Sequence, residues 1–139
     1  MLKISKRNCE SEKALEARLV EEIKKRGGVA VKLTSQFHRG LPDRLVLLPF
    51  HTMAFVELKS TGGRVSPLQV AAIEQLRQMH FCVRVVTSAQ ELDELLETLD
   101  RRLDEQKDFQ KSLKSKGREM RLALKEQRFA DKWGKGGKR

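Results

Sequence analysis

The order of apolar segments in this 139-residue chain predicts an α/β fold: a mixed β-sheet flanked by helices, α-β-β-β-α-β-α, followed by a basic helical extension. Three observations carry that expectation. Two strand-like segments are separated only by Phe50-His51, which reads as a hairpin. A helix-start signal at Ser66-Pro67 then intervenes before the next apolar run, so the connection is a helical crossover and the sheet is mixed. Helical periodicity on both sides of this β-rich middle supplies the flanking layers.

Each element has its own local reason. Residues 10–26 place Leu15, Leu19 and Ile23 at i, i+4 and i+8. Lys24, Lys25 and Arg26 suit the negative end of the helix dipole, and Gly27-Gly28 ends the helix. Residues 29–33 form a short strand, and 34–42 a polar loop holding Gly40 and Pro42. Residues 44–49 and 52–59 are the hairpin strands, and 60–65 a flexible loop with Gly62-Gly63. Ser66 is a good N-cap, Pro67 suits the first helical position, and Gln69 completes a capping box. Leu68, Ala72, Leu76 and Met79 are its expected apolar stripe. Residues 81–86 form the fourth strand. Ser88 and Glu91 make a second capping box for a helix running to about Leu99.

The chain reads as one modest domain over 1–100 and a tail over 101–139. In the tail Leu103, Phe109, Leu113, Met120, Leu122 and Leu124 are too sparse for a strong core stripe, and the Gly/Lys-rich end reads as disordered. Residues 1–100 carry 15 Lys+Arg against 13 Asp+Glu, and residues 101–139 carry 14 against 6. The net charge of +10 is therefore concentrated in the tail, which suggests a polyanion partner or a solvated helix face. Cys9 and Cys82 have no metal-site spacing, and Cys82 reads as a buried small hydrophobe. No long apolar run or signal-peptide pattern is visible, so an intracellular location, cytoplasmic or nucleoid-associated, with no membrane partner is expected.

The chemistry concentrates in two strings. Asp43 follows Pro42 on a turn, and Glu57-Leu58-Lys59 ends an apolar strand. With a period of two, Val56 and Leu58 point into a core while Phe55, Glu57 and Lys59 point the other way. Two carboxylates and an ammonium then converge at one sheet edge. Such oxygens suit Mg²⁺ or Mn²⁺, and a metal beside a lysine suits attack of water on a phosphodiester. Each residue also has a plainer reading. Asp43 suits a turn, Lys59 a strand end and Gln69 the helix cap, while Glu16 could pair with a neighbouring base such as Lys13. Lys32, Arg39, Arg44 and Arg64 flank the motifs as phosphate contacts or as solvated charge. His38 reads as a loop polar residue rather than a general base.

Glu16, Gly27-Gly28, Val29-Ala30-Val31-Lys32, Gly40-Leu41-Pro42-Asp43-Arg44, Val56-Glu57-Leu58-Lys59 and Gln69 occur in that order. The set resembles the VRR-NUC family, virus-type replication–repair nucleases of the PD-(D/E)XK superfamily, over roughly residues 12–99. The resemblance implies a restriction-endonuclease-like fold. It implies that Asp43, Glu57, the Leu58 carbonyl and Glu16, directly or through water, hold Mg²⁺ or Mn²⁺. Lys59 would position or activate the water, and Gln69 would serve the same site. It further implies a structure-selective DNA endonuclease, Holliday-junction-resolvase-like, acting on branched DNA as a homodimer. A flap or end-processing repair nuclease and a non-catalytic DNA-binding module are the alternative functions.

Overall fold

The computed structural model describes residues 10–134. Its elements are α1 (Glu12–Lys25), β1 (Val29–Lys32), β2 (Arg44–Leu48), β3 (Thr52–Leu58), α2 (Pro67–Gln78), β4 (Val83–Val86) and α3 (Ala89–Trp133). The strands form one sheet in the order β1-β2-β3-β4. The first two pairings are antiparallel, and β3 pairs with β4 in parallel after the α2 crossover. The element order and the mixed sheet are those expected from the apolar pattern.

Local chemistry sets the ends of these elements. Ser11 caps α1 by accepting from the Ala14 N–H. At the other end Gly27 adopts φ +76° and donates to the Lys24 carbonyl, while Gly28 donates to that of Ile23. This is a Schellman closure, and Gly27 supplies its left-handed residue. The link from β2 to β3 turns at Phe50 and His51, whose φ values are 57° and 60°. Non-glycine residues adopt that conformation at a cost of about 1–2 kcal/mol each, and hairpin pairing on both sides holds them there.

Two apolar layers cover the sheet. On one side Leu15, Leu19 and Ile23 of α1 and Leu92, Leu95, Leu96 and Leu99 of α3 pack with Val46, Val56 and Leu58. On the other, Ile73 and Leu76 of α2 pack with Val83 and the half-buried Phe55. Arg26 ties α1 to α3 through Asp100, at 2.6 Å and 3.0 Å, while also binding Glu22.

Several expectations need correction. The buried stripe of α2 is Ile73 and Leu76, whereas Leu68 and Met79 are both about half exposed. The helix is rotated so that Gln69, three positions before Ala72, turns toward the sheet edge. The fourth strand begins at Val83, because Phe81 and Cys82 complete the turn out of α2. Cys82 is buried, as expected, and Cys9 lies outside the described residues. The second capping box is displaced. Ser88 Oγ accepts from the Glu91 N–H, but the Glu91 carboxylate accepts from Thr87. Finally, the helix expected to end near Leu99 and the expected helical extension are one element: α3 runs unbroken from Ala89 to Trp133, 45 residues in all. The chain divides into two compact units, Met1–Leu103 and Asp104–Arg139, and Leu103 still packs on the first core. Among the described residues no helix is long and apolar enough to cross a membrane.

Candidate active site

Glu57 is the centre of the site. It stands on β3 between core residues Val56 and Leu58, and β alternation turns it to the sheet face covered by α2. Its residue exposure is 1%. A carboxylate this buried needs partners, and it has three donors around its two oxygens. Oε2 accepts the Asp43 backbone N–H at 3.1 Å. Oε1 accepts Gln69 Nε2 at 2.7 Å and lies 3.0 Å from Lys59 Nζ. Asp43 is fixed in return, because its Oδ2 accepts the Leu58 N–H at 3.2 Å. The register pairs Arg44 with Val56. Asp43 therefore enters β2 directly opposite Glu57.

Burial pushes the Glu57 carboxyl above the usual carboxylate range, and the Asp43 charge adds to this, while Lys59 and the Asp43 N–H oppose it. The Lys59 ammonium is held above the ordinary lysine value, chiefly by its hydrogen bond to Glu57 and then by the charges of Glu57, Asp43 and Glu12. The shifts agree with a charged pair in which the more buried partner bears the desolvation penalty. Lys59 is thus held as a cation against the Glu57 carboxylate. Two carboxylates face one ammonium, so the cluster retains an unbalanced negative charge.

Gln69 completes the expected cap and also touches the Glu57 carboxylate. Its Oε1 accepts the Ser66 N–H at 2.9 Å, its own N–H donates to Ser66 Oγ at 3.2 Å, and its Nε2 holds Glu57. The loop before Asp43 is pressed against the same helix start. Gly40 has φ +88°, and a Cβ there would lie 2.6 Å from the Leu68 carbonyl oxygen. Only glycine permits this approach.

The remaining predicted residues are placed differently. Glu16 does not join the carboxylate pair; it accepts from Arg44, whose Nη1 also donates to the Ala30 carbonyl at 3.0 Å. The Arg44 side chain faces the core side of the sheet with Val56, which brings it under α1. Arg44 is therefore an internal tie, with 15% side-chain exposure. That pairing holds the Glu16 carboxyl below its ordinary value. Another α1 glutamate, Glu12, is the one whose charge acts on Lys59. Lys32, Arg39 and Arg64 are exposed. Sequence reasoning passed over Phe37. It is 92% exposed and lines, with Arg39, His38 and Leu68, an open cleft of about 390 Å³. An aromatic inside an otherwise polar loop was the available signal.

The donor set suits a hard divalent cation. Asp43 and Glu57 present carboxylate oxygens from facing strand positions, and a bound cation would balance the surplus negative charge. Among the described residues no three His, Cys, Asp or Glu side chains are gathered, so a cation would draw on this pair, water and substrate oxygens. That composition is typical of Mg²⁺ sites.

The chain is similar in sequence, and in one case in fold, to known proteins. Residues 3–90 match the model of the VRR-NUC domain. A phage protein named "Putative nuclease p44", from Acyrthosiphon pisum secondary endosymbiont phage 1, is 39% identical over 85 residues. That alignment spans 61% of this chain and 90% of the phage protein. A solved structure described as a VRR_NUC domain superposes with a TM-score of 0.59 at 30% identity, covering 63% of this chain and 97% of its own. The restriction-endonuclease-like α/β fold, the ordered motifs and the family match agree: the chain belongs to the VRR-NUC family of nuclease domains.

Proposed function

We propose that this protein is a Mg²⁺- or Mn²⁺-dependent endodeoxyribonuclease that cuts branched DNA. The observation that carries the reading is Glu57, a buried carboxylate tied at once to Asp43, Lys59 and Gln69. Family membership and the name of the phage relative support the reaction class.

Asp43 and Glu57 would hold the divalent cation, which when bound would supply Lewis acidity to a phosphate oxygen and lower the pKa of a nearby water. The chain's own residues do the rest. Gln69 and the Asp43 N–H fix both oxygens of Glu57, so its orientation is set before substrate arrives. The Leu58 N–H does the same for Asp43, and the adjoining Leu58 carbonyl is the proposed backbone donor to the cation. Lys59, held protonated, places positive charge where the phosphorane dianion develops, which is stabilisation by a preorganised cation. Glu16 serves through Arg44, steadying the residue that follows Asp43. Lys32, Arg39 and Arg64 offer exposed cations for DNA phosphates. Symmetric junction cutting needs two sites, and a two-fold homodimer supplies them.

The test incubates the protein with duplex, flap and four-way-junction DNA, with and without Mg²⁺, Mn²⁺ or Ca²⁺. Cleavage should need Mg²⁺ or Mn²⁺ and favour the junction. Asp43→Asn, Glu57→Gln and Lys59→Ala should each abolish most of it without weakening DNA binding. Near-normal cutting by Glu57→Gln would remove the site, and preference for flaps by a monomer would replace the junction reading with end processing.

A further inference from the structure

We infer that the second unit of the chain carries a phosphate-tracking ridge on α3, built to lie along the backbone of duplex DNA. The basic residues from Lys107 to Lys132 recur at alternating intervals of four and three. Lys111, Lys114, Arg118, Arg121, Lys125 and Arg128 lie between those two ends. No position in this series is anything but Lys or Arg. All eight are in α3 and all are exposed. At 3.6 residues per turn they fall within about 100° of arc and run about 38 Å along the axis. Arg118, Arg121 and Lys125 line one shallow depression together with Leu122, as neighbours on one face must.

The ridge is not neutralised from within. Among the described residues, one ion pair involves it, Lys111 with Asp108 at 3.7 Å, and both partners are largely exposed. Asp108, Glu119 and Glu126 lie off the ridge by the same helical geometry. Like charges three and four apart destabilise a helix, so a single file of eight is unfavourable for an isolated helix and is relieved by an external polyanion. Other basic residues of the tail, Arg101, Arg102 and Lys116, fall on different faces. A duplex carries about one phosphate charge per 1.7 Å of axis. The ridge, with a cation about every 5 Å, can therefore find a phosphate for each. Choosing DNA among polyanions rests on the proposed nuclease function.

The experiment uses the full chain with Lys59→Ala, so that DNA is bound but not cut. Affinity for a 40-base-pair duplex, a length of about 136 Å, is measured at several salt concentrations for two variants of equal charge. One carries Arg118→Gln, Arg121→Gln and Lys125→Gln on the ridge. The other carries Arg101→Gln, Arg102→Gln and Lys116→Gln off it. The ridge variant should lose about 2.7 from the magnitude of the log K against log salt slope, at about 0.9 per phosphate, and the off-ridge variant less than about 1. Equal changes would show a diffuse charge cloud and overturn the ridge. Replacing Arg118, Arg121 and Arg128 by Lys should keep the slope, because phosphates need only a point charge there. A changed slope in that variant also overturns the proposal, and it does so without disturbing the helix. Binding to phosphatidylserine vesicles that the ridge variant loses, with duplex affinity untouched, would assign the ridge to a membrane instead. Cleavage by the chain with Lys59 intact is scored separately: the expected slope loss in the ridge variant without any cleavage refutes the nuclease reading, and cleavage with no slope loss in the ridge variant refutes the ridge.

Discussion

Gln69 does two jobs with one amide, and substitution can separate them. Ser66→Ala removes only the hydroxyl half of the cap, a bond of 3.2 Å, and should cost about 0.5–2 kcal/mol. Gln69→Ala removes the reciprocal cap bond at 2.9 Å and also the 2.7 Å donor to Glu57, a hydrogen bond to a charged group worth about 1.5–3 kcal/mol. Because Glu57 is almost completely buried, water does not fully replace that donor. The sum is a loss of about 2–5 kcal/mol. Cleavage should also fall by about 10- to 100-fold, as expected when a reacting group loses its orientation. Gln69→Glu is the sharper probe. It keeps an oxygen for the Ser66 N–H but sets a second carboxylate against Glu57, so one of the two must take up a proton. It should retain the cap and still lose cleavage. Urea unfolding gives the stabilities, and single-turnover cleavage of a labelled junction gives the rates. Equal, small stability losses in Ser66→Ala and Gln69→Ala, with cleavage unchanged in Gln69→Glu, would refute this account.

Three further outcomes are expected. Gly40→Ala should lower the melting temperature and cleavage together, because a Cβ at φ +88° costs about 1–2 kcal/mol and would meet the Leu68 carbonyl at 2.6 Å; an unaffected variant would show that the loop is not pressed on α2. Glu16 has its pKa lowered by Arg44, so its contribution to stability is present above the ordinary carboxylate value and is lost as pH falls through the depressed one. Glu16→Gln should therefore weaken the protein at pH 7 and flatten its loss of urea resistance on acidification, and parallel pH profiles would contradict the pairing. Mg²⁺ at about 100 times its dissociation constant should stabilise the wild type by about 2.7 kcal/mol in thermal or urea unfolding but leave Asp43→Asn nearly unchanged, whereas equal stabilisation of both would place the cation elsewhere.

Much of the site was legible in the chain because its determinants are local. Alternation along 52–59 put Glu57 and Lys59 on one face, and antiparallel pairing across a short hairpin brought Asp43 opposite Glu57. The Ser66 cap and the Gly27-Gly28 stop each depend on neighbours within a turn. The charge on each tail residue and the helical character of the extension were equally visible, and α3 shows that extension as one helix with the segment before Leu99.

By itself, the sequence determined the element order, the mixed sheet, the family motifs and the identity of the acid–acid–lysine cluster. The tertiary structure decided what no local rule specifies. Which face of α2 is buried depended on the shape of the sheet beneath it, so Ile73 was chosen over Leu68 and Met79. Glu16 found Arg44, 28 residues away, rather than a partner on its own helix, because α1 packs over the strand that carries that arginine. Gln69 could serve both Ser66 and Glu57 because the crossover sets the start of α2 over the end of β3. Periodicity reports which residues share a face of one element; which element that face meets is settled only when all of them compete to cover the same sheet.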